Sequence, residues 1–303
     1  EAAPLAQALI NACDQHQWLT IAPSAKRVYG TLLIRLGQSE EGAEYLLQAI
    51  DAAERVSLGV EASRGRVALA FFRFHTGDVD GAESLLTRGL PVLRQKPTQE
   101  PFVHTALITL ANVAKSRGDF DQARDWVNEA ISEADRLNHP LLRADALQLL
   151  ALVQRASGDL DGAATNLRNA IATKTSFGTP MAALGLNMTL GLVQLDRDDF
   201  DAAHTAFETG RDKFQEMGKS AMAGAAQACL LPCLAARKEW QKFGDTLAIS
   251  EVRLREAAMF SQDIAGPVER AANLARDAQQ TAAASAAYGL ALRQWVGLHD
   301  DDG

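Results

Sequence analysis

Cys229 and Cys233 are the side chains best spaced for chemistry: four positions apart, they fall on one face of a helix, where two thiolates can hold a metal or turn over as a redox pair. Their surroundings argue for less. No second Cys or His pair follows at ligand spacing to complete a tetrahedral site, Pro232 lies between them, and a free Cys in an alanine-rich helix behaves as a small apolar filler. The six histidines, His16, His75, His104, His139, His204 and His299, are scattered without metal-ligand spacing. His75 and His139 stand near expected helix C-termini, where a positive end is favourable. No Gly-x-Ser-x-Gly elbow, Gly-x-x-x-x-Gly-Lys phosphate loop or Gly-x-Gly-x-x-Gly turn occurs. Closely spaced aspartates recur at fixed intervals, which suits helix capping better than acid–base work. The chain is therefore expected to be no enzyme and to carry no cofactor or metal.

The elements that position these residues follow from an internal repeat. Gly77-Asp78-Val79-Asp80-Gly81-Ala82 returns as Gly118-Asp119-Phe120-Asp121-Gln122-Ala123, as Gly158-Asp159-Leu160-Asp161-Gly162-Ala163 and as Asp198-Asp199-Phe200-Asp201-Ala202-Ala203. The same step reaches back to Gly37 and forward to Lys238 and Asp277, giving seven turns with a period of 40. Twelve residues after each turn stands a small residue: Ala49, Gly89, Ala130, Ala170, Gly210, Ser250 and Gly289. Nine after it come Leu46, Leu86, Val127, Leu167, Phe207, Leu247 and Ala286, so bulky and small residues share one helical stripe. Pro101, Pro140, Pro180 and Pro267 mark the starts of first helices, and Asp119, Asp159 and Asp199 the starts of second helices. The spacing predicts first helices over 23–36, 60–76, 100–117, 140–157, 180–197, 219–237 and 262–276. Second helices are predicted over 40–57, 79–95, 120–137, 160–177, 200–217, 240–257 and 278–297, with a further helix over 4–17. Pro232, inside a first helix, predicts a kink or break that sets the last two units at a different angle.

Composition agrees. The 303 residues include 55 alanines and only 6% aromatics, which favours closely packed helices over a β-sandwich or barrel. A net charge of −8 without a polybasic run leaves nothing to attract a phosphate backbone, so direct nucleic-acid binding is not expected. Three cysteines make no disulfide framework and no apolar stretch is long enough to span a bilayer, which reads as a cytoplasmic protein without membrane association. The alanine-, aspartate- and arginine-rich composition is bacterial in character. The chain opens on Glu1 and no signal-peptide pattern follows, so it is expected to be processed or cut from something larger. The acidic run Asp300-Asp301-Asp302 is read as a solvated end.

Leu-Ala in the first helix, Gly-Asp-Phe-Asp-x-Ala at the turn and the later small residue resemble the tetratricopeptide repeat, in its extended form of about 40 residues as in bacterial regulators, kinesin light chains and Inscuteable-partner adaptors. The resemblance implies an all-α, right-handed superhelical solenoid. Residues 1–22 would cap it, 23–217 would form five regular repeats, and 218–303 two degenerate repeats with a C-terminal cap. It also implies a concave groove lined by first helices, at positions thirteen, ten, six and three before each turn. These are Arg64, Phe71 and the neighbouring His75 in the second unit; Thr105, Ile108, Asn112 and Lys115 in the third; Asp145, Gln148, Leu152 and Arg155 in the fourth; Met188 and Leu192 in the fifth. Apolar anchors, amides for a backbone and cations for carboxylates suit an extended peptide or protein segment. Phe71, Leu152 and Leu192 stand equally as packing residues between helices, because core and groove stripes adjoin. Relatives that clamp a C-terminal carboxylate use two lysines, two asparagines and an arginine; Leu152 and Asp145 here depart from that set. The expected function is a non-catalytic protein-interaction module, scaffolding or regulatory, with the ligand-sensing domain of a larger transcription regulator or Ser/Thr kinase as the alternative.

Overall fold

The computed structural model describes residues 2–95 and 101–300. Among them are sixteen helices and no strand. The first eight are α1 (Ala2–His16), α2 (Ala22–Arg35), α3 (Ser39–Arg55), α4 (Gly59–His75), α5 (Val79–Arg94), α6 (Pro101–Ser116), α7 (Phe120–Arg136) and α8 (Pro140–Ser157). The remainder are α9 (Leu160–Ser176), α10 (Pro180–Asp196), α11 (Phe200–Glu216), α12 (Ser220–Cys229), α13 (Leu231–Ala236), α14 (Trp240–Glu256), α15 (Gln262–Asp277) and α16 (Thr281–Asp300). The chain is an all-α array of helical hairpins. Contacts divide it into two compact units, Glu1–Val153 and Gln154–Gly303. No helix among the described residues is long and apolar enough to cross a membrane. Of the acidic run, Asp301 and Asp302 lie outside the described residues.

The turns explain the period. Gly37, Gly77, Gly118 and Gly158 have φ between +78° and +88°. This left-handed conformation ends a helix most cheaply when no Cβ is present. Asp198, Lys238 and Gln279 take the same conformation, at φ near +60°, in the units that have lost the glycine. The residue that follows is an aspartate in four units, and the side chains of Asp78, Asp119, Asp159 and Asp199 accept the N–H of Gly81, Gln122, Gly162 and Ala202 at 2.9–3.1 Å. A second left-handed series, Gln17, Ser57, Asn138, Gly178, Gly218 and Ala258, closes the other helix ends with the same 40-residue stride. Gln17 belongs to that series, so α1 corresponds in register to the second helix of a unit.

Two expectations need correction. The last turn centres on Gln279, two residues beyond Asp277. The residues of α16 five and twelve after the turn are therefore Ala284 and Ala291, both buried, whereas Ala282 and Ala286 are exposed and Gly289 is half-buried. Pro101, Pro140 and Pro180 do open helices, but Pro267 lies inside α15. Having no N–H, it frees the carbonyl of Asp263, and the Cys229 thiol donates to that oxygen at 3.4 Å. At Pro232 the helix breaks as expected, into α12 and α13, with the Leu230 N–H turned to Gln227 O at 3.1 Å.

The stripes predicted to pack do so. Leu46, Leu86, Val127, Leu167 and Phe207 are fully buried, each removing enough apolar surface to contribute roughly 1.5–3 kcal/mol. Close approach depends on two glycines in the first hairpin: a Cβ on Gly30 would lie 2.6 Å from the Gly42 carbonyl oxygen, and one on Gly42 2.6 Å from that of Gly30. In the fifth hairpin the volumes are exchanged. Gly191 replaces the alanine found at this offset in the preceding three units, and the Phe207 ring fills the space, 2.7 Å from where a Cβ would stand.

Candidate functional site

In the first unit α4, α6 and α8 each leave expected groove residues accessible. Between Val103 and Lys115 on α6 every residue is buried except Thr105, Ile108, Asn112 and Lys115. That is the helical face left over once α6 has packed its remaining sides, with Val103, Ala106, Leu107, Leu110, Ala111, Val113 and Ala114 in the core. On α8, Asp145 is exposed and Gln148 and Leu152 are half-buried. On α4, Phe71 is 47% exposed and its ring meets His75 edge-on at 4.4 Å, with Phe74 on the other side of His75 at 5.5 Å. Asn112 spends its N–H₂ on the Ile108 carbonyl at 3.0 Å, which turns its amide oxygen outward as an acceptor. Lys115 makes no ion pair among the described residues, whereas Arg64 pairs with Glu61 at 3.1 Å.

Arg27 stands at a groove offset that the sequence reading did not include. It binds Glu61 at 2.7 Å, and the guanidinium groups of Arg27 and Arg64 lie 5.0 and 6.0 Å from the centre of the Phe102 ring. Both guanidinium groups bind the Glu61 carboxylate and lie beside the same aromatic ring. The signal was available: ten residues before Gly37 is Arg27, the same offset as Ile108 and Gln148.

The second unit uses its expected groove residues for packing. Leu192 is 4% exposed, within a core that also holds Leu195, Ile264 and Val268. The Met188 sulfur fills the space left by the missing side chain of Gly210. Arg155 is bound to Asp196 at 2.6 Å and to Asp263 of α15 at 3.2 Å. Arg270, also on α15, holds the Leu195 carbonyl and the Asp198 carboxylate, and lies 5.1 Å from the Phe200 ring centre. The C-terminal part of α10 is thus covered by α15 of the same chain: Leu192 is taken up by the core and Arg155 by two carboxylates, which argues against a groove role for either, while Met188 stays half-buried.

The titratable groups fit this division. Burial pushes the Cys229 thiol far up and the Cys233 thiol up to about 12, so both are protonated and unreactive. Among the described residues no group of three or more His, Cys, Asp or Glu is placed to hold a metal ion. His104 is buried in α6 with Nε2 3.1 Å from Leu142 O, and burial lowers its pKa. His139 stands just past the end of α7, its N–H bonding the Ala134 carbonyl at 3.0 Å, and its Nδ1 accepts the Leu142 N–H at 3.3 Å at the start of α8.

No protein-family model matches the chain, and no curated protein matches it. Solved structures do. A Rap protein complexed with competence and sporulation factor aligns at 13% identity and TM-score 0.66, over 94% of this chain and 80% of that one. The apo form of the quorum sensor NprR from B. thuringiensis aligns at 16% identity and TM-score 0.67, over 96% of this chain and 82% of that one. A signal transduction ATPase with numerous domains and a tetratricopeptide repeat sensor, from Pyrococcus horikoshii, aligns at 12% identity and TM-score 0.74. That alignment covers 98% of this chain but 45% of the larger protein. The fold is that of the tetratricopeptide-like repeat proteins.

Proposed function

We propose that the protein is a non-catalytic interaction module that binds an extended peptide or protein segment along the accessible stripe of α4, α6 and α8, in a scaffolding or regulatory role. One observation carries this reading: the face of α6 not consumed by packing is a mixed row of Thr105, Ile108, Asn112 and Lys115. Such a row offers an apolar contact, an amide acceptor for a peptide N–H and an ammonium for a carboxylate. Phe71 and Leu152 add apolar contacts on the neighbouring helices. The similarity to a Rap protein that was solved with a bound factor supports the same reading.

The test is selection of binders from a displayed peptide library, followed by affinity measurement on the double variant Asn112→Ala, Lys115→Glu. Both side chains are partly exposed, so helicity should be unchanged while affinity falls at least about tenfold, the effect of losing one charge-assisted hydrogen bond. Equal affinity in the variant would remove the stripe from consideration.

A second reading, the ligand-sensing part of a larger regulator, is favoured by the alignment of nearly the whole chain with under half of a multidomain ATPase. An ATPase, kinase or DNA-binding segment in the same reading frame would support it, and a frame encoding this array alone would oppose it.

A further inference from the structure

The geometry points to a second binding site, independent of the stripe: the cleft between α14 and α16 takes a small carboxylic acid with an apolar tail. The cleft encloses about 440 Å³, within the range of small-molecule sites. Its walls are Leu254 of α14, Phe260 of the following loop, and Leu290, Leu292 and Val296 of α16. Leu292 is 62% exposed, and Phe260 and Val296 are also left in water. An apolar surface of this kind costs solvation unless something covers it.

The site is preformed. Gly297 lies beneath the Phe260 ring so closely that any Cβ there would collide with it, so the aromatic wall depends on a bare backbone position. The loop carrying Phe260 is held by the buried Gln294, whose Oε1 accepts the Ser261 N–H at 3.1 Å and whose Nε2 donates to Met259 O at 3.1 Å. Preorganisation of this sort removes an ordering cost from binding.

Charge selects the ligand. Arg293 is neutralised by Glu251 at 2.8 Å. Arg255, at the rim of the same cleft, is exposed and makes no ion pair among the described residues. An unpaired guanidinium beside an apolar cleft suits one carboxylate, held by two parallel hydrogen bonds while the tail displaces water from Leu292 and Val296. A neutral or cationic amphiphile gains the apolar contact without that pair.

Calorimetric titration of the intact chain with octanoate, octanol and octylamine tests this. Octanoate should bind saturably with one-to-one stoichiometry, and at least about tenfold more tightly than either analogue. Arg255→Gln should lower octanoate affinity about tenfold and leave octanol unchanged. Leu292→Asp, at an exposed position that the fold does not need, should abolish uptake of both. No saturable octanoate binding, equal binding of octanol, or unchanged affinity in Arg255→Gln would overturn the proposal. In the first hairpin the residue at the offset of Leu292, Ile50, lies against Gly65 of the following first helix. A dimer in sedimentation that Leu292→Asp dissolves, without octanoate uptake, would therefore assign the surface to a second copy and also overturn it.

Discussion

Protonating His104 would place a charge inside the packing of α6 against α8. Its folded-state pKa lies below the ordinary value of 6.5 because burial disfavours the imidazolium. The unfolded chain therefore binds the proton first as pH falls, so the stability this histidine contributes is whole above about pH 6.5 and is lost below it. His204 is shifted in the same direction by burial. The midpoint of thermal unfolding should be flat from pH 8 to 7 and fall towards pH 5, and His104→Gln, which retains a donor for Leu142 O, should flatten that fall without abolishing it. A variant as acid-sensitive as the parent would place the titration elsewhere. At Gly42 the expected effect is steric: Gly42→Ala forces α2 and α3 apart and should cost about 1–3 kcal/mol in chemical denaturation. The accessible residues of α6 were legible in the sequence, because a 3.6-residue period and a fixed turn leave one face free once the apolar residues are placed. Arg155 and Leu192 share the offsets of the stripe, but Asp263, Ile264 and Val268, which engage them, lie more than 70 residues further on, where no local pattern points.

Helices obey local signals more closely than side chains do. Most boundaries fall within one or two residues of those expected, because a left-handed residue and an aspartate cap fix each start and stop. Where these were lost the register slipped: the turn before α16 has neither the glycine nor the aspartate, and alanine at Ala282, Ala283 and Ala284 gives no phase, so the two-residue shift to Gln279 could not be seen. The caps make a graded prediction. Asp159→Ala should destabilise by about 1 kcal/mol, and Asp159→Asn by less, measured by urea unfolding. The docking of α15 makes another. Arg155→Ala leaves Asp196 and Asp263 unpaired, so hydrogen exchange should quicken in α15 while α4 and α6 are unaffected. A loss confined to peptide binding, with α15 still protected, would return Arg155 to the groove.

The first hairpins, which pack against their neighbours, are stabilised unit by unit with interface terms between adjacent units, whereas α15 also ties the seventh hairpin to the fourth and fifth. Damage should accordingly stay local. Gly42→Ala should raise exchange in α2, α3 and α4 and leave α14, α15 and α16 protected, whereas uniform loss of protection would mean one cooperative transition. The degenerate look of residues 218–303 also misleads at this scale. Their Cys229, Leu234, Ile264 and Val268 share one core with Leu192 and Phe207, so a truncation at 217 would strip apolar surface from the fifth hairpin.

The exchange of bulk between Gly191 and Phe207 means that successive modules are not interchangeable parts. A recombinant that joined the Ala151-bearing helix to the Phe207-bearing one would jam, and the reciprocal cross, Gly191 facing Leu167, would leave a void. Only crossovers that keep both helices of a hairpin on the same parental fragment should yield sound progeny, so lineages that shuffle this array are constrained to trade it in whole hairpins.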